Sequence, residues 1–423
     1  MRNTDYFKYK KVVIVGLARS GVASANLLFD LGAKVKVTDN KDNETTRIAA
    51  SRLKSKEIRL ELGAHTQGFL RGNDLLVLSP GVPNDALPVV WAQKLKIPII
   101  SEIELAWILC PATVIAVTGA NGKTTVTTII GKILEKAGKK VFVSGNIGNP
   151  FSQDVQEIKN GDFVSLEVSS FQLETIDKFK PKVALILNFT PNHLDRYADI
   201  EEYLAAKKRI FMNQDKTDYL VLNGEDPLLR EVALEAKAQV VYFSPKDGLN
   251  PNQAAVLAVG SIFGIDKELI FNVFKEFKGL EHRMEFVTEI NRIKFINDSK
   301  ATTVDSAIWA LKNIHTPIVL IAGGKHKGVD YRQILDSARS KVREVILIGE
   351  AKERLKDAFR GTLPFDEASS LEEAVDKAYQ KARPGDAVLL SPMCSSFDMF
   401  SSYEERGSVF KRAVIDLAEK VAN

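Results

Sequence analysis

Val114-Ile115-Ala116-Val117-Thr118-Gly119-Ala120-Asn121-Gly122-Lys123-Thr124-Thr125 decides how this chain folds. Four apolar residues run into a glycine-flanked turn, and Lys-Thr-Thr then opens a helix-patterned segment over 126–137. A strand, a tight turn and a helix N-terminus therefore follow one another. The first amides of a helix have no partner inside it, and the helix dipole adds partial positive charge there. Such a turn cradles phosphate. Lys123 is placed to reach the outer phosphates of a nucleoside triphosphate, and the Thr124 hydroxyl to ligate Mg²⁺. The full glycine pattern carries a Gly six residues before the lysine, where this chain has Val117. The plain alternative is a strand–helix turn with an exposed lysine.

Toward the N-terminus, residues 11–15 read as a buried strand and Gly16-Leu17-Ala18-Arg19-Ser20-Gly21 as the turn after it. A helix over 22–31 closes at Gly32, and a second strand over 35–38 ends at Asp39. This order is Rossmann-like. Ala18 replaces the middle glycine of that fingerprint, so the turn is either a diphosphate site or structural. Asp39 at a strand end can accept hydrogen bonds from a ribose or a base. A strand over 75–78 runs into Ser79-Pro80-Gly81-Val82-Pro83, at the sheet edge where ligands bind in such folds.

Strand and helix patterns alternate nearly throughout, which predicts an α/β protein with mostly parallel sheets. At 423 residues the chain is long enough for two to four domains with separate cores. Boundaries are expected near 109–112 and 280–285. They give a Rossmann-like domain over 1–110, a central P-loop domain over 111–284 and a C-terminal Rossmann-like domain over 285–423. In the central part, 163–168 and 183–187 read as strands, and 201–213 and 252–263 as helices. After the second boundary, 286–288 and 293–296 suit a hairpin through Asn291-Arg292. Helices over 303–313, 331–340 and 371–382 then alternate with strands over 318–321, 344–348 and 387–390, before a last helix from 404.

Hydrophobic content of 45% with 26% charged residues is ordinary for a soluble protein. The net charge of +4 is spread along the chain and gives no reason to expect nucleic acid or membrane as a partner. Two distant cysteines, Cys110 and Cys394, suggest neither zinc nor a disulfide framework, so a cytoplasmic setting is expected.

Polar residues gather at the ends of predicted central strands. Glu167 ends one, before Ser169-Ser170; Asn188 ends the next, before Asn192-His193-Leu194-Asp195. Mg²⁺ takes carboxylate oxygens beside substrate phosphates, which suits Glu167; His193 is a metal ligand, a hydrogen-bond partner, or a structural histidine. His282-Arg283 lies at the second boundary. In 297–303 (NDSKATT), Asp298 and Lys300 face a nucleotide or an acidic substrate, or Ser299 or Thr302 simply caps a helix. Gly323-Gly324-Lys325-His326-Lys327-Gly328 is a basic glycine-rich loop, an anion site or a solvated turn. The hydroxyls of 391–398 (SPMCSSFD) precede a helix and suit a carboxylate.

Together these segments resemble the Mur ligases, the ATP-dependent amide-forming enzymes of peptidoglycan precursor synthesis. The resemblance spans essentially the whole chain. It is carried by 118–125 (TGANGKTT), 188–197 (NFTPNHLDRY), Ala205-Ala206-Lys207, His282-Arg283-Met284-Glu285 and 297–302 (NDSKAT). Two further stretches, 166–174 (LEVSSFQLE) and 391–407 (SPMCSSFDMFSSYEERG), are most like the members that add D-glutamate to UDP-N-acetylmuramoyl-L-alanine. The resemblance implies that Gly119, Asn121, Gly122, Lys123, Thr124 and Thr125 hold ATP, with Asn252, His282, Arg283 and Asp298 as further nucleotide contacts. It implies two Mg²⁺ ions on Thr124, Glu167, His193 and a carbamylated Lys207. It places the UDP substrate on Arg19, Asp39, Gly81, Asn146 and Ser169, and the amino acid on Lys300, Thr302, Lys327, Ser396 and Tyr403. Catalysis falls to Lys123, Glu167, His193 and Lys207, in a cytoplasmic monomer whose domains close on ligand.

This chain departs from that family in two segments. Between Asn223 and Asn252 it is short, with Gly248-Leu249-Asn250-Pro251-Asn252 where Gly-x-His-Asn usually precedes the asparagine. Lys325-His326-Lys327 stands where an acidic residue usually accompanies the lysine. The Asp-Asn-Pro-Arg of the members that add diaminopimelate or lysine is missing. A nicotinamide-dependent dehydrogenase accounts for residues 11–39 but leaves Lys123, Glu167 and Lys207 unused. A nucleotide-binding module without catalysis is a further alternative.

Overall fold

The protein is described by a computed structural model covering residues 4–190, 196–246, 248–277 and 279–422. Its apolar runs form three sheets. The first contains β1 (Lys11–Val15), β2 (Lys34–Asp39), β3 (Arg59–Leu62), β4 (Leu75–Leu78) and β5 (Ile99–Ser101), all parallel, in the order β3-β2-β1-β4-β5. The second contains β6 (Thr113–Thr118), β7 (Val141–Gly145), β8 (Phe163–Glu167), β9 (Val183–Ile186), β10 (Tyr219–Asn223) and β11 (Gln239–Phe243), also parallel, in the order β11-β10-β9-β6-β8-β7. The third contains β12 (Glu285–Ile290), β13 (Ile293–Asn297), β14 (Ile318–Gly323), β15 (Val342–Ile348), β16 (Phe365–Glu367) and β17 (Ala387–Leu390), in the order β12-β13-β17-β14-β15-β16. Here β12 is antiparallel to β13 and the remaining pairs are parallel. Central strands such as β4, β9 and β17 are buried at every position because helices cover both faces of a parallel sheet. The α/β expectation therefore holds.

The described residues fall into two compact units, one of Met1–Phe189 and Ile200–Phe277, the other of Thr190–Asp199 and Lys278–Asn423. Within the first, two sheets share one apolar core. Ile103, Leu105 and Leu109 of the helix Glu102–Leu109 belong to the same cluster as Phe151 and Phe179. The Glu104 carboxylate, buried here, accepts the backbone N–H groups of Asp177, Lys178 and Phe179 at 3.0, 2.9 and 2.9 Å. Residues 109–112 thus mark a change of sheet without a break in packing.

Several elements differ from their expected form. The helix expected over 201–213 is Ile200–Lys208, followed by a 3₁₀ turn at Arg209–Phe211. There the Arg209 guanidinium turns in to the carbonyls of Leu173 and Ile176. The helix expected over 331–340 is a 3₁₀ turn at Tyr331–Ile334 and a short helix at Leu335–Ala338. Thr303, not Ser299 or Thr302, caps the helix Val304–Asn313 by accepting from the Ser306 amide. The hairpin through Asn291 and Arg292 forms as expected, with φ of +48° and +65°, the left-handed pair that a tight two-residue turn requires.

Candidate active site

The phosphate loop follows β6 and leads into the helix Lys123–Lys136. Gly122 is the N-cap, with φ +83°, and no side chain caps the first turn. Amides at the helix start thus remain available to an anion. A Cβ on Gly122 would lie 2.4 Å from Asn252 Oδ1, so the missing side chain is what lets Asn252 approach the loop. Asn252 stands in the first turn of the helix Pro251–Ile262, which Asn250 and Gln253 cap reciprocally. The short 223–252 segment still forms a parallel strand, β11, and still brings its asparagine to the phosphate loop.

Asn188 braces the same loop. Its Oδ1 accepts from the amides of Ala120 and Asn121 at 3.1 and 2.9 Å, and its Nδ2 donates to the Asn121 carbonyl at 3.0 Å. The sequence places Asn188 at a strand end and at the start of the 188–197 run, without giving its side chain a role. The available signal was an amide side chain leaving β9, next to β6 in the sheet.

Two lysines converge on one carbonyl. Lys123 Nζ donates to the Gly119 and Ala120 oxygens, both at 2.9 Å, and Lys207 Nζ donates to Gly119 O at 3.0 Å. Lys207 is fully buried on the helix Ile200–Lys208, near the Tyr203 ring. Burial, and then the neighbouring Lys123 charge, push its amine well below the usual lysine range. Burial also lowers Lys123, against the opposing pull of Glu167.

Glu167 ends β8, buried. Its Oε1 accepts from Asn146 Nδ2 at 2.9 Å, and its carbonyl accepts the Asn146 amide at 2.9 Å. Its Oε2 is buried and has no hydrogen-bond partner among the described residues. An orphaned carboxylate oxygen beside lysines and a phosphate loop suits a hard cation, because Mg²⁺ takes oxygen ligands. Thr124 and Thr125, in the first turn of the following helix, are half-buried. His193 lies outside the described residues.

The other expected contacts of the first unit are more widely spread. Arg19 Nη2 donates to the carbonyl of Gly148, two residues beyond Asn146, and so joins the first helix to the loop that braces Glu167. Asp39 is committed to backbone, with one carboxylate oxygen accepting from the Leu17 amide at 2.7 Å and the other from Lys41 at 2.9 Å. Ser169 caps the short helix Ser170–Leu173 in a reciprocal pair with Gln172. Gly81 is exposed, and a Cβ there would meet nothing within 4 Å.

Three sequence signatures match in succession: "Mur ligase MurD-like, N-terminal domain" over residues 10–101, "Mur ligase middle domain" over 117–284 and "Mur ligase, glutamate ligase domain" over 282–394. The chain belongs to the Mur ligase family. It is 42% identical to the UDP-N-acetylmuramoylalanine--D-glutamate ligase of Thermoanaerobacter pseudethanolicus, with 97% of this chain and 99% of that protein covered. The ligase of the same name from Geotalea daltonii is 41% identical over 97% of this chain and 98% of its own. The fold is that of the UDP-N-acetylmuramate-alanine ligase of Thermotoga maritima, with a TM-score of 0.62 at 18% identity, covering 97% of this chain and 100% of that one.

The second unit of this Mur ligase carries the remaining expected residues. His282 is buried, and Asn297 Nδ2 lies 2.9 Å from its Nδ1 and donates to Glu285 Oε2 at 3.0 Å. A Cβ on Gly407 would fall 2.2 Å from the His282 ring, so the ring's position requires a glycine at 407. Asp298 is wholly buried; it accepts from the Met284 amide and the Ser391 hydroxyl at 3.2 and 3.0 Å, with Arg283 Nη1 3.5 Å away. Burial pushes its carboxyl up to about 6, while Arg283 opposes the shift. The Ser391 hydroxyl, expected to suit a substrate carboxylate, is thus spent on Asp298.

Lys300 Nζ donates to Tyr403 OH at 2.5 Å. The Thr302 amide donates to the Lys300 carbonyl at 2.9 Å, and Ser396 is buried at the turn whose carbonyl accepts from Met399 and Phe400. The glycine-rich loop is stitched down at Lys325, which exchanges backbone hydrogen bonds of 2.9 and 3.2 Å with Ser395, so Lys327 lies two residues beyond a fixed point. His326 Nδ1 lies 2.9 Å from Tyr331 OH, which lies 3.0 Å from Cys394 Sγ.

Arg406 was not anticipated. It is fully buried, and its guanidinium donates to Ser299 Oγ, Ser299 O and Cys394 O at 3.0, 2.7 and 3.2 Å. It thereby ties the segment before Lys300 to the segment before Ser396. The sequence places Arg406 inside the family-like stretch 391–407 but gives its side chain no role, because an arginine in a polar helical stretch reads as solvated.

Proposed function

We propose that this Mur ligase joins D-glutamate to UDP-N-acetylmuramoyl-L-alanine at the expense of ATP, which becomes ADP and phosphate. The observation that carries the reading is the convergence of Lys123, Lys207 and the orphaned Glu167 oxygen around the phosphate loop, in a chain collinear with ligases of that name. The terminal carboxylate of the muramoyl substrate attacks the γ-phosphorus, and ADP leaves. The D-glutamate amine attacks the resulting acyl phosphate, and collapse of the tetrahedral adduct expels phosphate.

Each step crowds anions, so the work falls to alignment and charge neutralisation. Lys123, with Gly119, Asn121, Gly122, Thr124 and Thr125, holds the ATP phosphates. Asn252, His282, Arg283 and Asp298 contact the rest of the nucleotide. Arg19, Asp39, Gly81, Asn146 and Ser169 hold the UDP substrate. Lys300, Thr302, Lys327, Ser396 and Tyr403 take D-glutamate, Lys300 and Lys327 facing its carboxylates. Lys207 is carbamylated: its lowered basicity leaves a lone pair free to add to CO₂, with loss of one proton, and the product is an anion. Thr124, Glu167, His193 and that carbamate would hold Mg²⁺, two ions in all, which would supply Lewis-acid stabilisation of the phosphoryl oxygens. The enzyme acts as a cytoplasmic monomer, which light scattering tests against the chain mass of 46.8 kDa.

The deciding experiment is phosphate release from ATP and Mg²⁺ with UDP-N-acetylmuramoyl-L-alanine, adding D-glutamate, L-glutamate, L-lysine or meso-diaminopimelate in turn. Release dependent on D-glutamate alone is expected. Release with a different amino acid reassigns the pocket around Lys327, Ser396 and Tyr403. No release with any of them refutes the reaction.

A further inference from the structure

Arg283 is held in an unusual way. The residues on either side of it, His282 and Met284, have φ of +61° and +48°, and neither is a glycine. Left-handed backbone is strained at ordinary residues and persists only where its surroundings enforce it. Here they do: Asn297 and the bare Cα of Gly407 fix His282, and the Met284 amide is tied to Asp298. The turn delivers the Arg283 guanidinium to two neighbours. One is the buried Asp298 carboxylate at 3.5 Å, too long for a hydrogen bond. The other is Trp309, whose ring centroid lies 5.4 Å from the guanidinium carbon.

Trp309 is not part of the apolar core. The helix Val304–Asn313 buries Val304, Ala307, Ala310 and Leu311 on its core side. Trp309 lies off that side, 49% exposed, and belongs to neither apolar cluster of the C-terminal sheet. The group it meets is a guanidinium whose side chain makes no hydrogen bond among the described residues. A guanidinium is planar and stacks on aromatic faces, so an indole on one side sets its plane and leaves its other side for a second flat group.

Resting on the reading of Arg283 as a nucleotide contact, we infer that Trp309 is a positioning and specificity residue for the nucleobase. Its indole holds the Arg283 guanidinium flat, so that the opposite face stacks on a purine ring. A purine offers that face more area than a pyrimidine, so the pair also favours ATP over CTP.

The test compares Trp309→Ala, Trp309→Phe and Arg283→Ala with the wild-type enzyme. For Trp309→Ala, KM for ATP is expected to rise about 2- to 30-fold, the range of an exposed-to-desolvated cation–π contact, with kcat and thermal midpoint unchanged. The preference for ATP over CTP in kcat/KM falls by a similar factor, and Trp309→Phe restores most of both. A structural role would move the thermal midpoint and kcat together. Trp309 is one of three tryptophans, so ADP binding should change the emission of wild type but not of Trp309→Phe. If Arg283→Ala raises KM for ATP while Trp309→Ala leaves KM, base preference and ADP-dependent emission as in wild type, the inference falls and the reading of Arg283 stands. If Arg283→Ala leaves KM unchanged, that reading falls and the inference with it.

Discussion

The first unit contains the same local device twice: a buried strand, a glycine turn and a helix. After β1 the turn is Gly16 to Gly21, and after β6 it is Gly119 to Gly122. Both are glycine for steric reasons. A Cβ on Gly21 would lie 2.0 Å from the Gly16 carbonyl oxygen, and one on Gly122 would lie 2.4 Å from Asn252. They differ in charge. At the first turn, Asp39 sends a carboxylate oxygen to the Leu17 amide, and Arg19 is turned away to Gly148. At the second, the neutral amide of Asn188 braces the loop, and Lys123 and Lys207 both point at Gly119. A turn guarded by a carboxylate repels phosphate and suits the hydroxyl and amide donors of a ribose or base. A turn that carries the Lys123 amine attracts it. The glycine pattern makes a cradle, and the surrounding charges decide what lies in it.

The largest effect that would sharpen this contrast is Lys123→Ala. With UDP-N-acetylmuramoyl-L-alanine and D-glutamate, phosphate release should fall about a thousand-fold or more, as expected on removing a preorganised positive donor from a phosphoryl-transfer site. A fall below ten-fold would erase the distinction between the turns. Next is Lys207→Ala, which should lose activity by about a hundred-fold or more at ambient CO₂, a loss of metal-site organisation. Short carboxylic acids should restore part of it by occupying the place of the carbamate. Full activity without them would leave Lys207 a structural donor to Gly119.

Asp39→Ala acts on the other turn and should be milder. It strands the Leu17 amide, which costs about 1–2 kcal/mol, read as a lowered denaturation midpoint. KM for the UDP substrate should rise and KM for ATP should hold; the reverse pattern would mean that the first turn, not the second, serves ATP. The smallest effect belongs to Gly81→Ala. With open space around its missing Cβ and no left-handed backbone to relieve, stability should change by no more than about 0.5 kcal/mol. A marked loss of activity with intact stability would then place the UDP substrate directly against this position.

Much of this was legible from residue order alone. β1, β4 and β17 lie where alternating apolar and glycine-rich segments placed them, because a strand buried on both faces has to be continuously apolar. The phosphate loop was legible because its chemistry is local: glycines, one lysine and a helix start lie within eight residues. Asn291-Arg292 was legible for the same reason. Local patterning failed where a distant side chain captured the backbone. Arg209 ends a helix by turning to Leu173 and Ile176. At 302–303 the difference was local, since Thr303 rather than Ser299 or Thr302 accepts from the Ser306 amide and caps the next helix.

The sequence by itself therefore determined the α/β class, the nucleotide cradle and the family. Each rests on hydrophobic period and on short-range backbone geometry, which neighbouring residues dictate. The tertiary structure alone decided which charges meet. Lys123 and Lys207 are 84 positions apart and share one carbonyl, Glu167 keeps a buried oxygen without a partner among the described residues, and Arg406 closes over Ser299 and Cys394. Electrostatic energy depends on distance in space and on loss of water, and residue order encodes neither until the sheets have formed.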